Sequence, residues 1–389
     1  MEYVKTRALH QGRRYPIEGY YEPRFAAVFE RFAANFAEGL ELGACAAATV
    51  EGKLAFDLWG GFADRASQFA WRHDTLVNMM SVSKAVAGIC VYILVDRGLA
   101  DPEAPVARYW PEFGQAGKQS LPLKYVLDHR AGLALLSEPL PRGAVYDAQA
   151  MAAALARQRP LWTPGEDAGY HVLTQGFILA EVVRRATGHT LGAFLRREVS
   201  EPLGLDYHIG LRAEELPRCA EWALPADSPL ARAIAEPGGS REGQFWAPLA
   251  PTEDFNSMGW RTAEIPSANG HGNARAVARL YGTLVDTAPA VRLMSAATLE
   301  RMITEQHHIK ERYLGRHYHQ GSGVVLNSMP NAWMGPNARA FGHQGAGGAI
   351  GFGDPDARVG FAYAMNRPHA DVTVPARARL IEALFDALK

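Results

Sequence analysis

Apolar positions at Phe25, Val28, Phe29, Phe32 and Phe36 recur at helical spacing and predict an amphipathic helix near the N-terminus. Ala46 to Val50, then Glu51-Gly52, then Leu54, Phe56 and Leu58 in alternation read as a hairpin, with glycine available for the turn. Residues 82 to 99 form a nearly continuous apolar segment closing on Arg97-Gly98, which predicts a buried helix with a glycine stop. From about 100 to 310 helical patches alternate with Pro- and Gly-rich connections. Residues 226 to 272 are the most loop-like, with Pro229, Pro237, Gly238, Gly239, Pro248, Pro251 and Pro266. Strand character returns at Gly323 to Leu326, at Ala338 to Gly342, and in the alternation Val359, Phe361, Tyr363, Met365. A helix closes the chain: Thr373 is a cap candidate, Pro375 suits its first turn, and Leu380, Leu384 and Leu388 line one face.

This order of elements predicts an α+β fold. An antiparallel sheet is built from both chain ends and flanked by helices, with a mostly helical region inserted between. The expected division is 1–80 and 311–389 for the sheet region and 81–310 for the helical one, with the active site at their junction.

Composition narrows the class without naming it. The chain has 389 residues, 48% of them hydrophobic and 21% charged, which is ordinary globular usage. A formal charge of −1 gives no electrostatic footprint for nucleic acid or an anionic membrane surface. The expected partner is therefore a small molecule, and no feature speaks to an oligomeric state. Cys45, Cys90 and Cys219 are far apart and form no C-x-x-C pair, so free thiols are expected. The charged start from Met1 to Arg7 lacks a following apolar stretch, and no apolar run reaches the roughly 20 residues of a membrane span. A cytoplasmic protein is the expectation.

The chemistry concentrates in Asn78-Met79-Met80-Ser81-Val82-Ser83-Lys84. A serine hydroxyl is a weak nucleophile at neutral pH and needs a base beside it. In a helix starting near Ser81, positions i and i+3 share a face, so Lys84 reaches the hydroxyl. Desolvation lowers a lysine's pKa enough to let it accept a proton. The N–H of Ser81, unsatisfied at the helix start, faces developing negative charge. Ser83 competes as a nucleophile but has no lysine three residues on.

The S-x-x-K motif opening a buried helix resembles that of serine β-lactamases, penicillin-binding proteins and the β-lactamase-like carboxylesterases called family VIII. The resemblance runs from about residue 25 to 385 in the family's order. It includes Leu127-Asp128-His129-Arg130-Ala131-Gly132-Leu133, Trp162-Thr163-Pro164-Gly165 followed by Tyr170, and Glu201-Pro202-Leu203-Gly204-Leu205. The late segment Phe341 to Asn366, with His343-Gln344-Gly345-Ala346-Gly347-Gly348, resembles the strand that lines the family's active site.

The resemblance implies a β-lactamase/transpeptidase-like fold and assigns roles. Tyr170 is the second catalytic motif, sharing a proton network with Lys84 and Ser81, as base toward Ser81 and acid toward the leaving group. The Ala346 N–H is the second oxyanion donor, opposite that of Ser81. Gly345 lets substrate approach the strand, and His343 either lines the site or is a structural polar group. Tyr170-His171-Val172 lacks the asparagine that helps β-lactamases hold a substrate amide, and His343 stands where they keep a lysine. A short-acyl ester needs neither anchor. Trp246, Phe255 and Trp260 are candidates for lining an acyl pocket.

Other chemistry finds little support. There is no G-x-S-x-G elbow, and Gly345 to Gly353 does not fit a nucleotide loop. His307, His308, His317 and His319 lack a metal-ligand spacing, so no metal or other cofactor is expected. Asn273 reads as a helix cap. The reading is a serine carboxylesterase working through an acyl-enzyme on Ser81. Its alternatives are an amide-directed relative (D-aminopeptidase, amidase or weak β-lactamase), an acyltransferase, or a non-catalytic scaffold.

Overall fold

The computed structural model describes residues 1–236, 241–249, 255–328, 334–369 and 374–389. Its dominant feature is a ten-stranded antiparallel sheet. The strands are β1 (Glu2–His10), β2 (Arg13–Tyr21), β3 (Gly43–Val50), β4 (Lys53–Gly61), β8 (His307–Lys310), β9 (His317–Gln320), β10 (Val325–Leu326), β11 (Phe341–Gln344), β12 (Ile350–Asp354) and β13 (Val359–Met365). Their order is β1-β2-β4-β3-β13-β12-β11-β10-β9-β8. The two chain ends meet in the middle, where β13 pairs with β3 from Val359 opposite Val50 to Met365 opposite Ala44. A second sheet has the order β5-β7-β6, from β5 (Val77–Asn78), β6 (Tyr207–Ile209) and β7 (Gly270–Gly272).

Every residue of β3 is buried, and its sequence GACAAATV explains how. Successive side chains face opposite sides of a sheet. On one side Cys45 accepts a hydrogen bond from the Ala274 N–H, and the Thr49 hydroxyl donates to the Ala278 carbonyl. Both partners belong to the helix Ala274–Val285. That helix lies almost backbone to backbone on the sheet: a Cβ at Gly360 would stand 2.2 Å from the Ala278 carbonyl oxygen. On the other side Ala48 sits beside Phe56, which packs edge-on against Phe25 at the start of the helix Ala26–Ala37. The C-terminal helix Pro375–Asp386 joins that layer, with the Asn35 amide donating to the Ala376 carbonyl. Small side chains in the central strand are what permit helices on both faces.

Several expectations meet their elements. The Phe25 to Phe36 periodicity is the helix Ala26–Ala37, and the Glu51-Gly52 turn joins β3 to β4 with both residues at positive φ. The long apolar segment is the helix Val82–Asp96, with Gly98 at φ 69° beyond it. Asn273 caps its helix by accepting from the Ala276 N–H at 2.9 Å. Pro375 stands at the first helical position, whereas Thr373, Pro237, Gly238, Gly239 and Pro251 lie outside the described residues.

Others are corrected. The strand expected at Ala338 to Gly342 runs instead from Phe341 to Gln344, because Asn337 to Ala340 forms a turn closed by the Ala340 N–H on the Asn337 carbonyl. Among its described residues, the loop-like stretch 226–272 holds three short α-helices, Pro229–Ala235, Arg241–Trp246 and Met258–Thr262. Two of these are capped by Ser228 and Ser257 side chains, a signal overshadowed by the prolines. The hairpin β1–β2 was not anticipated. Only Ala8 of β1 is buried, so that strand carries no apolar alternation to read.

Candidate active site

Ser81 is placed by a strand that stops at Asn78 and a helix that starts at Val82, three residues intervening. After β5, the Met79 N–H donates to the Gly270 carbonyl at 2.9 Å, and the Asn78 side-chain oxygen accepts from the Met80 N–H at 3.1 Å. Met80 is thereby held at φ 49°, a conformation that is costly for a residue carrying a Cβ. Ser83 secures the strained residue from beneath. Its hydroxyl donates to the Met80 carbonyl at 2.5 Å and accepts from the Gly270 N–H at 2.8 Å. The competing serine of the motif is thus fully buried and committed to the backbone. Ser81, at the N-cap of the Val82–Asp96 helix, remains partly accessible.

Lys84 lies one turn on, and its amine nitrogen is 3.3 Å from the Ser81 hydroxyl oxygen. Its other partners are two main-chain carbonyls, Val172 at 2.7 Å and Ser267 at 2.9 Å. The side chain is buried, and among the described residues no carboxylate lies within ion-pair distance of it. Burial therefore pushes the ammonium pKa well below the ordinary lysine value.

The Tyr170 ring stacks on Tyr318, with centroids 5.3 Å apart and planes 8° from parallel, and the Lys84 nitrogen is 4.8 Å from its centroid. Burial drives the phenol pKa well above its ordinary value. The neighbouring Tyr318 adds to the rise, and the contact with the Ser81 side chain offsets only part of it. The segment is held by its backbone. The Tyr170 N–H donates to the Glu311 carboxylate at 3.0 Å, and the Gly169 and His171 N–H groups donate to the carbonyl and Nδ1 of His129. Glu311 also accepts from the Tyr313 and Leu314 N–H groups. His171 turns inward, donating from Nδ1 to the Gly169 carbonyl and accepting at Nε2 from the Leu133 N–H.

The opposite wall is the end of β11. A Cβ at Gly345 would come within 2.2 Å of the Met79 carbonyl oxygen, so glycine is what lets this strand lie against the serine turn. Ala346 begins a single helical turn to Gly348, and its N–H, the first of that turn, has no acceptor within it. Gly347 sits at φ 83° and closes the turn. Arg377 supports it from the C-terminal helix by donating to the Gly348 carbonyl at 2.9 Å.

His343 is 3% exposed, and its Nδ1 donates to the Gln344 carbonyl at 2.7 Å, leaving Nε2 without a protein partner. Burial pushes its pKa down to about 3, and Lys84, when protonated, adds to the fall. The imidazole is therefore neutral across the ordinary pH range.

These walls enclose a cleft of about 620 Å³ lined by Ser81, Tyr170, His343, Gly345 and Ala346 among others. Of the three aromatic candidates, Trp246 lines it. Phe255 meets Trp246 edge-on at 5.9 Å and Trp260 meets Phe255 edge-on at 4.8 Å, so these two stand behind the wall. Sequence reasoning did not single out Ser267, Glu311 or the Val172 carbonyl as parts of the site. A main-chain carbonyl carries no side-chain signal, and Glu311 is 141 residues from the tyrosine it holds. His308 and His319 stack across β8 and β9 at 4.8 Å, His319 pairs with Glu305, and the His307 ring bonds to the Asp128 carbonyl at 2.8 Å, so the cluster follows from the pairing of β8 with β9.

An amine, not an imidazole, stands beside the serine hydroxyl, the pairing that marks the serine–lysine class of acyl-enzyme hydrolases. The chain belongs to the beta-lactamase family, whose model matches residues 32–384. It is 34% identical over 376 residues to the esterase/beta-lactamase LipL of Mycobacterium tuberculosis, covering 92% of this chain and 84% of that one. It is also similar to the crystal structure of a family VIII carboxylesterase (38% identity, TM-score 0.87, 95% of this chain and 99% of the other). A penicillin-binding-protein homologue from Caulobacter crescentus matches with the same identity, TM-score and coverage. No helix among the described residues is long and apolar enough to cross a membrane.

Proposed function

We propose that this protein is a serine carboxylesterase that hydrolyses short-acyl esters through a covalent acyl-enzyme on Ser81. The observation that carries the reading is the Lys84 amine, 3.3 Å from the Ser81 hydroxyl and desolvated without a counter-ion. Such an amine is neutral at a pH where an exposed lysine is charged, and so it accepts the serine proton as the hydroxyl oxygen bonds to the ester carbonyl. The carbonyl oxygen, now negative, lies between the N–H groups of Ser81 and Ala346. Tyr170 keeps its proton because of its raised pKa. Its part is therefore to donate that proton to the departing alkoxide and recover one from Lys84, not to act as a standing base. Water attacks the acyl-enzyme, its proton returns through the same pair, and Ser81 and the carboxylic acid are released.

The ester preference is supported by what stands at the two family anchor positions. Val172 occupies the asparagine position and offers only its carbonyl, already taken by Lys84. His343 occupies the lysine position as a neutral ring. Neither supplies the amide or carboxylate contact that a β-lactam uses. The near-neutral charge supports a partner other than nucleic acid, and three unpaired cysteines suit a reducing, cytoplasmic setting.

The test is hydrolysis of p-nitrophenyl butyrate by the wild type and by folded Ser81→Ala, with intact-protein mass spectrometry for the acyl adduct. Turnover and a butyryl adduct in the wild type, both absent from the variant, are expected. Equal turnover in the two proteins overturns the mechanism.

A further inference from the structure

One aromatic residue, Phe245, borders both the catalytic cleft and a second hollow. The second hollow, about 40 Å³, lies beside the cleft and is lined by Leu135, Leu136, Leu140, Met151, Leu173 and Phe245, together with the polar Glu138, Thr174 and Gln244. Phe245 lines the cleft as well. The two spaces also follow one another along the chain: Val172 faces the cleft, while Leu173 and Thr174 face the hollow. The Val172 carbonyl holds Lys84, so the hollow lies directly behind the catalytic segment.

The partition is built to stay in place. Phe245 is 4% exposed and meets Tyr313 edge-on at 5.7 Å. The chain just after it is tied to the hollow's outer rim. The Gly143 N–H donates to the Pro248 carbonyl at 2.9 Å, and the Arg142 Nε donates to the Leu249 carbonyl at 3.0 Å. The helix bearing Phe245 therefore cannot drift without breaking these bonds.

Resting on the esterase reading above, we propose that Phe245 sets the length of the acyl chain this enzyme accepts, and that the leucine-lined side of the hollow behind it is an unused extension of the acyl site. The acyl arm is assigned because it stays bonded to Ser81 on the cleft floor while the alcohol must leave through the open mouth. A hollow of this size holds roughly three water-sized groups. Joining it to the volume of the removed ring makes room for several methylenes. Each methylene admitted to an apolar pocket is worth about tenfold or more in kcat/KM.

The experiment measures kcat/KM for p-nitrophenyl esters from acetate to dodecanoate, and for a matching series of alkyl butyrates. The proteins are wild type, Phe245→Leu, Phe245→Ala, Phe245→Trp and the double variant Phe245→Ala/Leu136→Trp, each checked for folding by circular dichroism. The readout is the ratio of long-chain to butyrate activity within each protein. Phe245→Ala is expected to raise the decanoate-to-butyrate ratio about tenfold or more, with Phe245→Leu intermediate and Phe245→Trp at or below the wild type. Leu136→Trp, which plugs the hollow from its far side, is expected to return the ratio toward the wild-type value. An unchanged ratio in folded, active Phe245→Leu and Phe245→Ala overturns the proposal and leaves the esterase reading standing. So does a plug that fails to restore it. A shift confined to the alkyl butyrate series overturns the acyl assignment. A wild type that hydrolyses neither series removes the esterase reading, and the proposal with it.

Discussion

The Lys84 amine reaches the Ser81 hydroxyl at 3.3 Å while donating to two main-chain carbonyls, Val172 and Ser267, from elements 88 and 183 residues away. Carbonyl dipoles satisfy the amine's hydrogens without the full negative charge that would keep it protonated. A carboxylate in the same place would raise its pKa and disarm it as a base. The site thus does two things together: it buries a lysine, and it weakens that lysine's hold on a proton.

Lys84→Met is expected to lower kcat/KM for p-nitrophenyl butyrate by about 10³-fold or more, because nucleophile and base act as a unit. Lys84→Arg is expected to be equally inactive, since a guanidinium stays protonated. Steady-state kinetics on both folded variants checks this, and substantial activity in Lys84→Arg would count against proton transfer to Lys84.

The pH dependence follows from the direction of the same shift. Lys84 has a pKa in the folded protein well below its unfolded value of 10.5. Between those values the unfolded chain binds the extra proton, so this residue's contribution to stability rises with pH across that window. Activity needs the neutral amine, so kcat/KM rises with pH through the lowered folded-state value. His343, with its pKa near 3, adds no limb between pH 5 and 8. A pH–rate profile of His343→Gln is therefore expected to keep the wild-type acid limb, and a displaced limb would assign it to the histidine.

Gly345→Ala places a methyl group within 2.2 Å of the Met79 carbonyl oxygen, with no backbone strain of its own because φ here is −102°. The strand must move off the serine turn, separating the two N–H groups proposed for the oxyanion. The expected loss is about 10²- to 10³-fold in kcat with little change in KM, the size of losing one oxyanion donor. Comparing kcat and KM separately is the check.

Ser83→Ala leaves the Met80 carbonyl and the Gly270 N–H without their shared partner and frees the strained turn. Urea denaturation is expected to show a loss of about 1–3 kcal/mol. Ser81 acylation by p-nitrophenyl butyrate is expected to persist at a reduced rate. Complete loss of acylation in a folded variant would reopen the assignment of the nucleophile.

Tyr170→Phe removes the proton donor and preserves the stacked ring. A fall of about 10²- to 10⁴-fold is expected for butyrates of poor leaving alcohols. A smaller fall is expected for p-nitrophenyl butyrate, whose phenolate departs unprotonated. Equal losses for the two leaving groups would contradict its role as acid.

What the sequence determined by itself is whatever local periodicity and short spacing encode. The i, i+3 relation places Lys84 under Ser81 in any helix that begins there, and the apolar run 82–95 makes that helix buried. Alternation in Val359–Met365 and the Glu51-Gly52 turn made the sheet's centre legible, and the motif order made the family legible. Tertiary structure alone decided the electrostatics. That Lys84 is desolvated and meets carbonyls instead of a carboxylate depends on Val172 and Ser267. That the Tyr170 phenol is pushed further above its ordinary pKa depends on its burial and then on Tyr318, 148 residues later in number and stacked upon it in space. That Ser83 is structural depends on Gly270. A pKa, or the fate of a buried hydroxyl, is set by everything packed around it. Those neighbours come from segments far along the chain, strands such as those of Tyr318 and Gly270 as well as loops.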